Sequence, residues 1–283
     1  VFFAPAMDLD MYKHPSTSKS FQTLESYGNI MIPAVSGELA SGLDGMGRMA
    51  EPEDIMTFVL NHISKELPLK GQRVMITAGP TYEALDPVRF IGNYSSGLMG
   101  FELARVAAEY GAEVVLISGP SHLNLDHPMV NIVRITTAEE MYLKAHEFFD
   151  DSDIVVGAAA VSDYKPKDVA QNKIKKEQEE LNLELVKNKD ILLSLGQKKQ
   201  KQFLLGFALE TENELEHAKE KLRKKNLDAI VLNSLRDEGA GFSKPTNKIS
   251  FIDKNLKITP FELKSKAEVA KDIWHEIISR REA

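Results

Sequence analysis

Ile154-Val155-Val156-Gly157-Ala158-Ala159-Ala160, followed by Val161-Ser162-Asp163, is the stretch that decides the fold. It is a continuous apolar run without the polar alternation of a half-solvated strand, so it reads as a strand buried on both faces. Arg73 to Ala78 (RVMITA), Val114 to Ser118, Phe203 to Ala208 (FLLGFA) and Ala229 to Leu232 read the same way, with Val130 to Ile135 as a further candidate. Between them lie helical patterns: Gly97 to Tyr110 with Gly111 at its end, Ala138 to Phe149, Glu212 to Lys224, and a closing helix over Ser265 to Arg281. Buried strands alternating with amphipathic helices imply an α/β fold with a doubly wound, mostly parallel sheet, three-layer and Rossmann-like. Asn247 to Asp253 and Leu256 to Pro260 read as a late antiparallel hairpin. In such a fold ligands sit at the carboxyl ends of the strands.

Upstream, residues 1–66 read differently. The chain opens on Val1-Phe2-Phe3-Ala4-Pro5-Ala6-Met7, an apolar run with no polar lead-in, so an N-terminal part is expected to be missing. A short helix is expected over Ser16 to Tyr27, and another starting at Pro52. Between them, Ser36 to Arg48 carries four glycines in eleven residues and reads as a loop. Residues 67–71 read as a linker and 72–283 as the second domain.

Composition narrows the function. Lys and Arg total 35 against 42 Asp and Glu, a net charge of −7, which argues against a generic nucleic-acid binder. No apolar run approaches the roughly 18–20 residues of a membrane span. Neither nucleic acid nor membrane is expected as a partner. The chain has no cysteine, which excludes disulfides, Cys-type metal sites and a Cys nucleophile, and fits a cytoplasmic location. The seven histidines form no H-x-H or H-E-x-x-H set, so no metal ligands are assigned.

Four places carry candidate chemistry. The first strand ends in Thr77-Ala78-Gly79-Pro80-Thr81, and a long loop then leads to Asn93-Tyr94-Ser95-Ser96-Gly97 at a helix N-terminus. Ser95, Ser96 and Gly97 fit an anion site there, and fit equally an N-cap and tight turn. This is not the G-x-G-x-x-G dinucleotide fingerprint, so a nicotinamide-dependent oxidoreductase is the weaker alternative. Asp163, past a strand end, suits a ligand's amine or hydroxyls, or a turn cap. Lys173-Ile174-Lys175-Lys176 suits phosphates, or is a solvated strand. Lys221 and Lys225 share a helical face near a C-terminus, where the macrodipole favours them with or without a polyphosphate. A non-catalytic nucleotide-binding module remains a third reading of these clusters.

Taken together, ITAGPTYEALDPVRFIGNYSSGLMG, AAAVSDYKP, KIKK, LVKNKDIL, GFALET and KLRKKNLDAIVLN resemble, in order and spacing, the phosphopantothenate–cysteine ligase family. APAMDLDMY and SGELASGLDGMGRMAEP resemble the end of the flavin-dependent phosphopantothenoylcysteine decarboxylases, which many bacteria fuse ahead of the ligase. The resemblance implies a complete ligase domain preceded by a C-terminal remnant of a flavoprotein α/β domain. It implies CTP-dependent joining of 4′-phosphopantothenate and L-cysteine through an acyl-cytidylate, with Mg²⁺ on the triphosphate. FMN would serve the decarboxylase, and this stretch is not expected to hold it alone. A homodimer is implied, with the KIKK segment reaching across the interface.

Residue by residue, the resemblance gives Asn93 the acyl-cytidylate and Lys173 the reacting phosphates. It gives the nucleotide to Gly157, Ala158, Ala159, Asp163, Asn188, Lys189, Asp190, Ile191 and Phe207, and its phosphates to Lys221 and Lys225. Asn93, Ser95, Ser96 and Gly97 would meet the acid substrate. Asp8, Met11 and Ser41 fall in the decarboxylase remnant. Two positions depart from that family's pattern: Ser41 stands where a cysteine is usual, and Asp8 where an asparagine is usual. Serine is a far weaker acid than a thiol of pKa about 8.5, and an ionised aspartate offers no amide N–H. Either the decarboxylation site is a variant or its activity is weak.

Overall fold

A computed structural model describes all residues except 66, 176–180, 211, 235–243 and 282–283. The chain forms two compact units, Val1–Leu67 and Pro68–Ala283.

The first unit runs β1 (Phe2–Phe3), α1 (Leu9–Lys13), α2 (Pro15–Ser26), β2 (Ile30–Met31), β3 (Val35–Glu38), β4 (Asp44–Arg48) and α3 (Pro52–Lys65). β1 pairs with β2 in parallel, and β3 with β4 antiparallel. The glycine-rich stretch expected as a loop is therefore largely a hairpin. Gly37, Gly45 and Gly47 answer to close packing, whereas Gly42, at φ +82°, has open space and serves the turn. A Cβ on Gly47, at φ +135°, would stand 2.3 Å from the Met7 carbonyl oxygen, so no side chain fits there. Pro15 at the first turn of α2 has the fixed φ and absent N–H that suit a helix start.

The second unit continues β5 (Arg73–Ala78), β6 (Tyr82–Ala84), β7 (Phe90–Gly92), α4 (Leu98–Glu109), β8 (Glu113–Ser118), β9 (Val130–Arg134), α5 (Ala138–Phe149), β10 (Ile154–Gly157), β11 (Tyr164–Pro166), β12 (Leu185–Lys187), α6 (Ile191–Lys198) and β13 (Phe203–Glu210). It closes with α7 (Glu214–Lys224), β14 (Ala229–Ser234), β15 (Thr246–Asn247), β16 (Ile249–Asp253), β17 (Ile258–Pro260), β18 (Lys264–Ser265) and α8 (Lys266–Arg281). Its main sheet has the order β17-β16-β14-β13-β10-β5-β8-β9. The strands from β14 to β9 are parallel, and β16 and β17 form the antiparallel edge. Numbering the parallel strands by chain position gives 3-2-1-4-5-6, the doubly wound order whose switch point lies between β5 and β10. Leu69, in the stretch expected as a linker, is 1% exposed and part of this unit's core.

Strand alternation sends each core residue to one of two layers. Val74, Ile76, Ile154 and Val156 pack with Phe101 and Leu103 of α4 and with Val269, Ile273 and Trp274 of α8. Met75 and Val155 face the other way, onto Met141 and Phe149 of α5, Leu195 of α6 and Leu222 of α7. Trp274 is fully buried, and its indole N–H donates to the Leu103 carbonyl at 2.9 Å, so the ring is buried with its polar atom satisfied. Among the described residues no helix is long and apolar enough to cross a membrane.

Candidate active site

Two cavities open at the carboxyl ends of β5, β10 and β13, where the strand order reverses. The larger, of 370 Å³, takes Thr77, Asn93, Gly157, Ala159 to Asp163, Asn188 to Leu192, Phe207, Lys221 and Lys225 into its lining. The smaller, of 150 Å³, is lined by Ser95 to Gly100, Ala158 to Ala160, Phe207 to Leu209, Asn233, Asn247 and Lys266. Ala159, Ala160, Phe207 and Leu209 belong to both, so the two cavities share a wall of strand-end backbone.

Glycine and alanine build the β10 side of that wall. A Cβ on Gly157 would meet the Leu192 side chain at 2.7 Å, so β10 leaves the sheet with α6 lying directly against it. Beyond the strand, Ala160 N–H donates to the Gly79 carbonyl at 2.8 Å, and Ser162 N–H to Thr81 Oγ1 at 2.9 Å. The β10 and β5 exits are thereby tied together. Asn188 closes the loop, donating its backbone N–H to the Asp163 carbonyl (2.8 Å) and its side-chain amide to the Ser162 carbonyl (2.9 Å).

The cationic rim of the larger cavity comes from two helix ends. Asp190 caps α6, accepting from Leu193 N–H at 3.0 Å, and takes the Lys225 ammonium at 2.9 Å. A Cβ on Gly196 would fall 1.9 Å from the Lys225 carbonyl oxygen, so only glycine lets the C-terminus of α7 approach α6 this closely. Asn226 Nδ2 seals the contact, donating to the Gly196 carbonyl at 2.9 Å. Lys221 and Lys225 are thus held over the cavity rather than left on a solvated face. Lys189 bonds Glu139 at 2.8 Å and lies over the Tyr142 ring, and the Glu139 carboxylate pushes its pKa up.

Asn93 stands at the junction. Its Nδ2 donates to the Ala160 carbonyl at 2.8 Å, which fixes the carboxamide beside the shared wall. That nitrogen carries a second hydrogen, able to meet a ligand oxygen. Ser95, Ser96 and Gly97 follow at the start of α4. Gly97 is left-handed at φ +86°, and a Cβ there would lie 3.2 Å from Gly79 Cα, so two loop glycines pack face to face. Ser95 Oγ accepts from Gly97 N–H at 3.3 Å, and Ser121 Oγ donates to the Ser96 carbonyl at 2.7 Å. The expected tight turn and the start of α4 are made by the same residues.

Sequence reading missed three residues of the smaller cavity. Lys266 is 6% exposed, and burial pushes its pKa down. Asn247 is 2% exposed, and its Oδ1, like that of Asn233, is buried with no hydrogen-bond partner. Asn233 could have been found as a polar residue ending a buried strand. Lys266 and Asn247 have no local signal, because only the packing of β15, β18 and α8 brings them to α4.

Lys173 is the predicted residue that the structure does not bring to the others. It is exposed and lines neither cavity. Lys176 lies outside the described residues. In the first unit, Asp8 caps α1 at 2.7 Å and accepts from Ser41 Oγ at 2.9 Å, so the two departures from the decarboxylase pattern touch each other. Met11 is exposed, and its carbonyl accepts from Thr17 Oγ1 at 2.7 Å. Among the described residues no group of three or more His, Asp or Glu side chains gathers as a metal site.

Residues 69–280 match the family model described as DNA/pantothenate metabolism flavoprotein C-terminal domain, and residues 1–64 match the Flavoprotein model. The chain is 51% identical over 284 residues to a Cysteine/Cysteine sulfinic acid decarboxylase from an unknown prokaryotic organism, covering 99% of this chain and 79% of that protein. It is 42% identical over 279 residues to the Coenzyme A biosynthesis bifunctional protein CoaBC of Bacillus subtilis, covering 98% and 69%. A crystal structure of the C-terminal domain of a CoaBC protein superposes with a TM-score of 0.66 at 39% identity, over 77% of this chain and 99% of that one. The chain belongs to the DNA/pantothenate metabolism flavoprotein family, with a flavoprotein segment ahead of the family's C-terminal domain.

Proposed function

We propose that the second unit is a CTP-dependent ligase that joins 4′-phosphopantothenate to L-cysteine in coenzyme A biosynthesis. The observation that carries this reading is the pair of cavities sharing one wall, with Asn93 at their junction. The larger suits a nucleotide triphosphate. Asp163 and the Asn188–Ile191 turn face the base and ribose, Phe207 offers a flat apolar contact, and Lys221 and Lys225 meet phosphates. The smaller suits the acid substrate, with the α4 N-terminus and Lys266 opposing its anionic phosphate.

A carboxylate oxygen of the acid attacks the α-phosphorus of CTP. The new P–O bond forms as pyrophosphate leaves. The amine of cysteine then attacks the acyl carbon, CMP departs and the amine loses a proton. Asn93 donates to the carbonyl oxygen as it gains charge. Mg²⁺ brought in with CTP would supply charge neutralisation on the triphosphate. The cytoplasm, where CTP and free cysteine are available, is the location this reading takes.

Lys173 enters from a second copy of the chain. This homodimer is supported by the absence of Lys173 from the lining of its own two cavities and by exposed apolar side chains near the β6–β7 hairpin: Val88 at 61%, Phe90 at 51% and Tyr94 at 91%. Pyrophosphate release tests the function. It should require CTP and phosphopantothenate, be weaker with ATP, and be followed by amide product only when cysteine is added. Release without the acid would remove the reading.

The first unit supports a second, separate reading. In a protein carrying the whole flavoprotein domain, this segment would complete a decarboxylase for a cysteine-derived acid, either phosphopantothenoylcysteine or an unacylated cysteine derivative. A bound flavin would supply the redox chemistry of that reaction. Gly45 and Gly47 would not line its site here, since they close on Leu9 and Met7 of the chain itself. The Asp8–Ser41 contact favours the unacylated substrate, because an ionised Asp8 attracts a free ammonium, which phosphopantothenoylcysteine lacks. Carbon dioxide release from cysteine, cysteine sulfinate and phosphopantothenoylcysteine would separate the two.

A further inference from the structure

The turn at 85–89 has no part in either cavity, yet it holds a fully buried carboxylate. Asp86 is 2% exposed. Its two oxygens divide their work. Oδ1 accepts from the backbone N–H groups of Val88 and Arg89, both at 2.8 Å, and so closes its own turn. Oδ2 accepts from Arg89 Nε at 2.9 Å and Nη2 at 2.5 Å, and from the backbone N–H of Ile174 at 3.1 Å. Arg89 Nη2 then donates to the Ile174 carbonyl at 2.9 Å.

The ion pair therefore holds both backbone polar groups of one distant residue. The N–H belongs to the peptide joining Lys173 to Ile174, and the carbonyl to the peptide joining Ile174 to Lys175. Ala170 N–H, donating to the Leu85 carbonyl at 3.0 Å, fixes the approach to the same segment. A turn needs only Oδ1. Both lysines flanking the clamped residue are exposed, so no burial of their own side chains orients them.

We propose that Asp86 is a positioning residue for Lys173: with Arg89 it clamps Ile174 by both peptide groups and sets where the lysine is presented. The proposal rests on the reading of Lys173 as the residue at the reacting phosphates. Asp86→Asn tests it, because the amide keeps an acceptor for the turn but sets an NH₂ donor against Arg89 and Ile174. In the 283-residue chain, hydrogen exchange at the Ile174 amide should rise about tenfold, with exchange in β5 and β10 unchanged. Pyrophosphate release at saturating CTP and phosphopantothenate should fall about tenfold, the size of a lost charge-assisted hydrogen bond.

The deciding readout is the double variant. Asp86→Asn added to Lys173→Gln should lower the rate no further, since a residue acting only through Lys173 has nothing left to position. A general structural role would lower both backgrounds by the same factor, and that result overturns the proposal. A wild-type rate in Asp86→Asn beside a slow Lys173→Gln also overturns it, while leaving the reading of Lys173 intact. Full activity in Lys173→Gln removes that reading and the positioning role together; the Ile174 exchange rate then still reports whether the clamp exists.

Discussion

The two cavities meet at one wall and are built on opposite principles. The larger is rimmed by charges at helix ends, with Lys225 already engaged by Asp190. The smaller holds a lysine that is 6% exposed and two amide oxygens without partners. Half-buried cations at a rim hold a multiply charged ligand with an affinity that salt screens in part. Buried amide oxygens without partners carry a desolvation penalty that a ligand's hydrogen-bond donor relieves. On the function proposed above, the charged rim of the larger cavity serves the triphosphate, and the smaller cavity holds the acid with its carboxylate toward the shared wall.

The largest expected effect lies where the cavities join. Asn93→Ala should slow amide formation by roughly 10²–10³-fold, the usual cost of one lost oxyanion donor, and acyl-cytidylate should accumulate after pyrophosphate release. Quench-flow with product separation reads this directly. Equal slowing of both half-reactions would show that the junction is not where the acyl group sits.

Next comes the smaller cavity. Lys266→Met should raise KM for the acid by about 10–100-fold, as for a charge-assisted bond in a buried site, and leave KM for CTP within about twofold. A parallel rise in both constants would erase the distinction between the cavities. The same lysine gives a pH test. Burial pushes its pKa below the ordinary 10.5, so its charge is lost earlier on the alkaline side. Acid binding should weaken as pH rises through that lowered value. The ligand-free fold should move oppositely: above it the unfolded chain binds the extra proton, so stability rises with pH until about 10.5. Titrating both against Lys266→Met, which should lack both dependences, checks the sign.

The smallest effect belongs to the rim. Lys225→Ala should raise KM for CTP only about fivefold, and the deficit should shrink as salt increases. A salt-independent loss would place Lys225 in a dry contact and blur the contrast.

Much of this frame was legible in the sequence. Continuous apolar runs at β5, β10 and β13 announced parallel strands, the strand-end rule led to Asp163, and the residues around Asn188 came from the family resemblance alone. Other parts were not legible, for physical reasons. The glycines at 45 and 47 read as loop signals, whereas Gly47 is set by the approach of the Met7 carbonyl, a contact that local pattern does not carry. The long segment after Gly79 hid the β6–β7 hairpin, whose strands are three residues each. Lys266 is a single lysine at a helix start, and nothing nearby in sequence says that α8 will bury it against α4. Lys173 was recognised by motif, yet its geometry depends on Asp86 and Arg89, more than eighty residues upstream.

The most direct test of the account is exchange of labelled pyrophosphate into CTP, measured with phosphopantothenate present and cysteine absent. If the larger cavity activates an acid held in the smaller one, exchange proceeds with phosphopantothenate, stops without it, and is strongly reduced by Lys266→Met but not by Asn93→Ala. Exchange that ignores the acid, or survives Lys266→Met at full rate, would contradict the assignment of the two cavities.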